Sequence, residues 1–142
     1  MAEPVRVELG SWDRMRALAA PIRFAVFVEE QKVPAEIELD AQDPLSLHAL
    51  AFDAGGTAVA TGRLLPDGHI GRMAVLAQAR GSGVGTAVLL ALMQAARERG
   101  HREVVLSAQT HAVPFYARLG FATEGEVYDD AGIPHLDMRR AL

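Results

Sequence analysis

The stretch "QARGSGVGTAVLLALMQAARERG", from Gln78 to Gly100, places glycine at three alternate positions and then continues with helical spacing. Glycine is a poor residue with which to begin a helix, so Gly81, Gly83 and Gly85 indicate that something approaches the backbone closely there. The apolar residues that follow recur every three or four positions and form one helix face, made of Val84, Ala87, Val88, Ala91, Leu92 and Ala95. This segment therefore predicts a glycine-rich turn and then a helix that packs one face on a sheet.

The elements on either side of this segment do not follow a repeating strand and helix order. In chain order, we predict a strand at 5–9, a helical stretch from Trp12 to Gln31 that Pro21 breaks or restarts, a loop or short helix at 33–44, a three-stranded meander at 47–76 with turns at 55–56 and 66–68, the long helix, a strand at 103–109, a short helix from Val113 that ends at Gly120, and two strands around a turn at 129–132. This order predicts an α+β fold with a mixed sheet.

Length and composition limit the classes of function. The 142 residues fit one domain, spanning 1–142, with a sizeable core. The formal net charge is −4 and there is no basic run, so we expect no binding to nucleic acid. We also expect neither a membrane span nor a signal peptide, because no apolar stretch is long enough and "MAEPVRVELG" lacks a basic and an apolar region. The absence of cysteine excludes disulfides, thiolate metal sites and cysteine nucleophiles, and it fits a cytoplasmic protein.

A glycine-rich turn between a strand and a helix is a general device for binding anions, because the first N–H groups of the helix are unpaired. No lysine follows these glycines, which excludes a P-loop. A dinucleotide-binding turn has the spacing Gly-x-Gly-x-x-Gly early in the fold, whereas here the spacing is Gly-x-Gly-x-Gly and lies late in the chain. From these residues alone, a structural turn that uses glycine for close packing stays open beside an anion site.

Three stretches together resemble one family of enzymes. "RGSGVG" at 80–85 fits the pattern Arg/Gln-x-x-Gly-x-Gly/Ala, follows the strand "HIGRMAV" at 69–75, and precedes "FYARLGF" at 115–121. This arrangement is similar to that of the GNAT superfamily of acyl-CoA-dependent N-acetyltransferases. "VFVEEQKVPAEIELDAQDPLSLHAL" at 26–50 and "DDAGIPHLDM" at 129–138 resemble the ElaA/YjcF-like branch of that superfamily.

The resemblance implies a single GNAT-type domain, with a mostly antiparallel sheet of about six or seven strands that splays between strands 4 and 5. It implies acetyl-CoA as co-substrate, no metal, and a small-molecule or peptide amine as acceptor, with the protein a monomer or a homodimer. It also implies cofactor contacts at the fourth strand and the glycine turn, which here are Met73, Ala74, Val75, Arg80, Gly81, Ser82, Gly83, Val84, Gly85 and Thr86. Tyr116 matches the tyrosine that acts as general acid in many members. Gln109 or the backbone of His111 takes the place of an asparagine that many members carry after the fifth strand.

The general base is left open, because the fourth strand carries no acidic residue. Candidates from other segments, for the base or for contact with the acceptor, are Glu29, Glu30, Glu36, His48, His69 and His135. Seven carboxylates of the variable loops at 29–46 and 127–135 favour a cationic acceptor, although such residues also occur on any acidic surface loop. They are Glu29, Glu30, Glu36, Glu38, Asp40, Asp129 and Asp130. Two functions follow from this pattern: an N-acetyltransferase, or a non-catalytic domain that binds acyl-CoA as a sensor or interaction module.

Overall fold

The computed structural model describes residues 5–142, so the first four residues of the stretch from which we expect no signal peptide lie outside it. The strands are β1 (Arg6–Gly10), β2 (Leu47–Phe52), β3 (Ala58–Leu64), β4 (His69–Val75), β5 (Glu103–Gln109), β6 (Ala122–Asp130) and β7 (Ile133–Ala141). The α-helices are α1 (Trp12–Arg23), α2 (Ala35–Glu38), α3 (Val84–Glu98) and α4 (Val113–Arg118). A π-helical segment, Phe24–Glu30, continues α1, and short 3₁₀ turns occupy Asp43–Leu45, Ala77–Ala79 and Thr110–Ala112.

The strands form one seven-stranded sheet in the order β1-β2-β3-β4-β5-β7-β6. Every neighbouring pair is antiparallel except β4 and β5, which are parallel because α3 crosses over between them. This confirms the predicted α+β fold with a mixed, mostly antiparallel sheet.

Strands β4 and β5 separate soon after they meet, as predicted. They pair only through His69 with Val105 and Ile70 with Leu106. Beyond that point β4 stays paired with β3 as far as Val75, and β5 stays paired with β7 as far as Gln109. The two strands therefore leave a gap in the middle of the sheet.

A bulge in β4 lies at the start of this gap. Arg63 lies opposite Gly71, and Thr61 lies opposite Ala74. Between these two pairs β4 therefore contains one more residue than β3. The extra residue is accommodated at Arg72, whose φ of 49° lies in the left-handed region. Because a bulge bends its strand and increases the local twist, it turns β4 away from β5.

The sheet has an apolar cluster on each face. The α3 face holds α3 and α4 and includes Val88, Leu106 and Met138. The α1 face holds α1 and the π-helical segment and includes Ile22 and Leu50. Because side chains alternate along a strand, odd-numbered residues of β5 and β7 lie on the α1 face and even-numbered ones on the α3 face.

The expected break at Pro21 is wrong. The chain stays helical through Pro21 and then widens into the π-helical segment, where Gln31 N–H donates to Val26 O. Proline removes the N–H that would donate to Ala17 O, but both residues are exposed, so water can satisfy that carbonyl. The missing hydrogen bond therefore lies on the solvent side of the helix, and the packing of its buried side is kept.

Glycine at position 62 is required by packing between β3 and α3. A Cβ built there would lie 2.6 Å from Met73 Sδ and 2.9 Å from Val88 Cγ1. We predict that Gly62→Ala lowers the free energy of unfolding by about 1–3 kcal/mol, because the added methyl overpacks this contact. The measurement is urea denaturation. Gly71→Ala is the matched control, since a Cβ there meets nothing within 4 Å, and an equal loss in both variants would contradict the packing argument.

Candidate active site

The gap between β4 and β5 opens into a cleft of about 780 Å³. Its walls come from the π-helical segment and the chain after it, from β4, from the ends of β5 and β7, and from α4. Of the residues predicted for the site, the cleft brings together Met73, Ala74, Val75, Arg80, Tyr116, Glu30, His69 and His135. Glu29 is exposed and does not line the cleft, and Gly81–Thr86 lie beyond its end at Arg80.

The glycine turn presents unpaired donors at the start of α3. Gly81 and Gly83 adopt left-handed φ values of 81° and 87°, and nothing lies within 4 Å of the position that a Cβ would take at either one. The described part of the chain offers no hydrogen-bond acceptor to five N–H groups, those of Gly81, Gly83, Val84, Gly85 and Thr86. Ser82 Oγ donates to Ala79 O and thereby closes the turn. An anion placed here would meet open space and several free donors.

The edge of β4 that faces the gap also carries free backbone groups. Leu76 N–H donates to Val59 O at 2.9 Å, so Leu76 and Ala74 direct their backbone groups toward β3. Met73 and Val75 alternate with them and therefore direct theirs toward the gap. Val75 O already accepts a hydrogen bond from Arg80 Nε at 3.1 Å. A ligand in the cleft could pair with the remaining groups as an added strand would.

Tyr116 lies on α4 at the wall of the cleft. Its side chain is 8% exposed and packs edge to face against Phe115 and Phe121, with ring centroids 5.0 and 5.9 Å away. None of the described residues hydrogen-bonds its hydroxyl. Burial raises the pKa of Tyr116 to about 12, so the ring stays protonated at neutral pH and can act as a donor.

Two polar bridges connect the last residue of the π-helical segment, and the residue that follows it, to the opposite wall. Arg80 Nη2 donates to both carboxylate oxygens of Glu30 at 2.9 and 2.8 Å. The amides of Gln31 and Gln109 exchange two hydrogen bonds of 3.2 and 2.7 Å. Glu30, a candidate base, is therefore engaged by the guanidinium of a residue predicted to contact the cofactor.

The candidate histidines differ in their surroundings. His135 Nδ1 lies 2.7 Å from Ile133 O, and its ring faces the cleft. The side chain of His69 is half exposed, with Nδ1 3.0 Å from Asp67 Oδ1. His48 is fully buried beside Trp12 and does not line the cleft, so it is not placed to act there. The exposed Glu36 does not line the cleft either.

A buried network of charges fixes the segment from 35 to 46 on the α1 face. Arg23 binds Glu38 at 2.9 Å and Asp43 at 2.7 Å, and Arg63 binds Asp43 at 2.9 Å. Asp40 binds Arg63 at 2.7 Å and Arg72 at 3.1 Å. Three carboxyl groups of this segment thus match three guanidinium groups. This corrects the expectation that Glu38 and Asp40 favour a cationic acceptor, since both are already paired.

The pKa values in this network follow from burial and pairing. Burial raises the pKa of Glu38 more than its arginine neighbours lower it. At Asp43 burial also raises the pKa, but hydrogen bonds from Arg23 and from the backbone N–H of Asp40 outweigh it, and the pKa falls to about 2. Burial lowers the pKa of His48, so the neutral ring donates through Nε2 to Asp43 O at 2.9 Å.

A family model for the acetyltransferase (GNAT) domain matches residues 17–142. The chain belongs to the GNAT acetyltransferase family. It is 42% identical over 123 residues to the uncharacterized N-acetyltransferase YjcF of Bacillus subtilis, and the match covers 84% of this chain and 87% of that protein. The family and the names of these GNAT relatives support N-acetyltransferase activity in general.

Solved GNAT structures agree with this assignment. The crystal structure of an acyl-CoA N-acyltransferase from Pseudomonas aeruginosa is 33% identical, with a TM-score of 0.84, over 97% of this chain and 100% of that one. Escherichia coli ElaA is 28% identical, with a TM-score of 0.84, over 95% and 99% of the two chains. Together with YjcF, these neighbours confirm the predicted ElaA/YjcF-like branch.

Two features are absent from residues 5–142 of this GNAT domain. No helix among them is long and apolar enough to cross a membrane. Within the same residues, no group of three or more histidine, aspartate or glutamate side chains is placed to hold a metal ion.

Several site residues of this GNAT domain were missed by sequence reasoning. Arg72 lines the cleft, yet no local rule places an arginine in the left-handed region. Tyr128 donates to Asp137 at 2.6 Å, bonds Ser107, and stacks on His135. Strand alternation offered a usable signal here, because it places Ser107, His135 and Asp137 on one face of the sheet.

We predict that Asp43→Asn lowers the free energy of unfolding at pH 7 by about 3–5 kcal/mol, because it leaves Arg23 and Arg63 buried with one partner fewer. The folded pKa of Asp43 lies below its ordinary value of 3.8, so its contribution is present above that pH and is lost as the pH falls toward 2. The difference between wild type and variant should therefore shrink by about 2 kcal/mol between pH 5 and pH 2.

Urea denaturation at a series of pH values measures this difference. The matched control is Glu36→Gln, which removes an exposed carboxylate of the same segment and should change stability by less than about 0.5 kcal/mol. A difference for Asp43→Asn that stays constant down to pH 2 would show that the carboxylate charge is not what stabilises the fold.

Proposed function

We propose that the chain transfers the acetyl group of acetyl-CoA to a primary amine of a small molecule or peptide by direct attack. The gap between β4 and β5 carries this proposal, because it opens a cleft that runs along the free edge of β4 and ends at Arg80, next to the glycine turn. Such an arrangement suits a long ligand with an anionic end and a reactive end. It is less suited to a compact nucleotide, which needs no free strand edge.

The residues present fit acetyl-CoA. Its pyrophosphate would lie against the free N–H groups from Gly81 to Thr86, where the open space at Gly81 and Gly83 lets it approach. Its pantetheine arm would pair with the free backbone groups of Met73 and Val75, while Ala74 keeps the strand bound to β3. Bound in this way, acetyl-CoA supplies a thioester whose carbonyl carbon an amine can attack.

Tyr116 assists the leaving sulfur as a hydrogen-bond donor. Its pKa of about 12 lies above the ordinary thiol value of about 8.5, so complete proton transfer to a thiolate would cost about 5 kcal/mol. A hydrogen bond from the hydroxyl stabilises the developing charge without that cost. The T-shaped packing of its ring on Phe115 and Phe121 holds the hydroxyl in place.

The acceptor enters from the α1 face of the sheet. That part of the cleft has apolar side chains on one wall, Phe27, Val33 and Ile37, and the polar side chains of Gln109 and His135 on the other. With the carboxylates at 38–43 already paired, Glu30 and His69 are the proposed contacts for the acceptor amine. The absence of cysteine fits the reducing cytoplasm as the site of this reaction, with the protein a monomer or a homodimer.

The alternative function, a domain that binds acyl-CoA without turnover, is favoured by two observations. No carboxylate lies on β4, and Glu30 is engaged by Arg80. Binding of acetyl-CoA alone would be common to both functions. Turnover of an amine separates them.

We predict that acetyl-CoA binds and that Arg80→Ala weakens its binding about 10- to 100-fold, the value of one or two hydrogen bonds to a charged group. Isothermal calorimetry measures the Kd, with ATP and NAD as control ligands. Arg97→Ala is the matched control, because Arg97 contacts Gln94 on the exposed side of α3. If acetyl-CoA fails to bind at millimolar concentration, the glycine turn is a structural turn and the proposal is wrong.

We predict that Tyr116→Phe lowers kcat about 10- to 100-fold with an amine that the wild type acetylates, because a hydrogen bond to a charged sulfur is lost. The Kd for acetyl-CoA should stay within about twofold, since phenylalanine keeps the packing on Phe115 and Phe121. A panel of aliphatic, aromatic and peptide amines, with release of free thiol as the assay, supplies the acceptor. Wild-type protein that binds acetyl-CoA but acetylates no amine would favour the non-catalytic alternative.

A further inference from the structure

His135 lies beside the gap, at the level of the β4 segment that faces it. Its strand β7 pairs it with Gln109 of β5 on one side and with Tyr128 of β6 on the other. The last pair joining β4 and β5 is Ile70 with Leu106, and three residues further along lie Met73 and Gln109. His135 is therefore one strand away from the gap, and the residue is 9% exposed and lines the cleft.

One ring nitrogen of His135 is committed to the backbone. Nδ1 lies 2.7 Å from Ile133 O, and a carbonyl oxygen can only accept, so Nδ1 carries a proton. In the neutral ring Nε2 then has no proton and presents its lone pair. None of the described residues hydrogen-bonds Nε2.

The orientation of the ring is fixed by its neighbours. Tyr128 stacks on it with centroids 6.1 Å apart and planes at 24°. The hydroxyl of Tyr128 is itself held by Asp137 and by Ser107, so three strands contribute to one arrangement. Of the titratable groups nearby, Tyr128 stacks on the ring, Asp137 accepts from the Tyr128 hydroxyl, and Asp130 lines the same cleft.

The other candidates for a base are engaged or exposed. Both carboxylate oxygens of Glu30 accept from Arg80. The other candidates outside the cleft lining are Glu29, Glu36 and His48. The side chain of His69 is half exposed and has Asp67 beside it. His135 is thus the candidate with a free lone pair, a fixed ring and a place in the cleft.

We propose that Nε2 of His135 is the general base that removes a proton from the acceptor ammonium. The proposal rests on the proposed N-acetyltransferase function and names a residue for the step which that function leaves open. His135 takes one proton, and the freed lone pair of the amine bonds to the acetyl carbonyl carbon while the carbon–sulfur bond breaks. A second proton leaves the nitrogen after the bond forms and balances the one that the sulfur gains. The imidazolium keeps its Nδ1 hydrogen bond throughout.

The test is His135→Asn, whose amide nitrogen can replace Nδ1 as donor to Ile133 O while nothing replaces Nε2. We expect kcat/KM for a strongly basic amine to fall about 10²- to 10⁴-fold, the range for loss of a general base. The loss should shrink along a series of less basic amines, because an amine that is already neutral at the assay pH needs no base. His101→Gln, which alters a histidine outside the cleft, is the matched control and should leave kcat/KM unchanged.

Two further readouts separate a base from a structural residue. The Kd for acetyl-CoA and the melting temperature of His135→Asn should match the wild type; if the variant is unstable, His135→Gln is used in the same series. Nitrogen-15 NMR of the histidine rings should show the proton of neutral His135 on Nδ1, and a proton on Nε2 would overturn the proposal.

The outcomes for the base and for the function can be told apart. If the wild type is active and His135→Asn is equally active, the proposed role of His135 as base is wrong, and the proposed acetyltransferase function is unaffected. If kcat/KM falls by the same factor for every amine, His135 is a structural residue and its proposed role as base is wrong. If the wild-type protein acetylates no amine, the proposed acetyltransferase function is wrong, and so is the role of His135 that rests on it.

Discussion

Only two residue pairs join β4 to β5, and the whole candidate site depends on that short contact. If pairing continued to Val75, the backbone groups of Met73 and Val75 would bond to β5 and the cleft would close. Two constraints prevent this: the bulge at Arg72 turns β4, and the far edge of β5 is held by β7 along its whole length. Free N–H and C=O groups inside a sheet are costly unless water or a ligand pairs with them, which makes this edge a place for binding.

The charge network acts on the same strand from the α1 face. Arg72 Nε and Nη2 bond to Glu38 O at 3.2 Å and to Asp40 at 3.1 Å, so the residue at the bulge is tied to the segment at 35–46. Buried ion pairs are poor evidence for stability, because apolar residues of similar size often do as well. What charges add is direction, because a guanidinium donates from a rigid planar fork and so restricts where its carboxylate partners can lie. The network therefore fixes where the cleft wall lies relative to β4.

The parts of the fold that were predicted from the sequence depend on signals between near neighbours. Turns at 55–56 and 66–68 and the glycine turn before α3 are marked by glycine where φ is positive. The ion pair of Arg23 with Asp43 spans 20 residues, and a charged residue carries no mark of its partner. The left-handed Arg72 has no local signal either, since only the pairing of β4 with β3 imposes it. For the same reason Glu30 could be named as a cleft residue but not recognised as the partner of Arg80.

The two faces of the sheet differ in the chemistry that they offer to the gap. Tyr116 belongs to the apolar cluster of the α3 face, and His135 stands on the α1 face among polar neighbours. Under the proposed mechanism a donor and a base must act on opposite ends of one reaction, at the sulfur and at the amine. If both stood on one face, they would compete for the same space and could exchange a proton directly. Under the same proposal, a gap through the sheet would keep them apart and still let both reach the thioester, so the short contact between β4 and β5 would position the chemistry as well as the proposed cofactor.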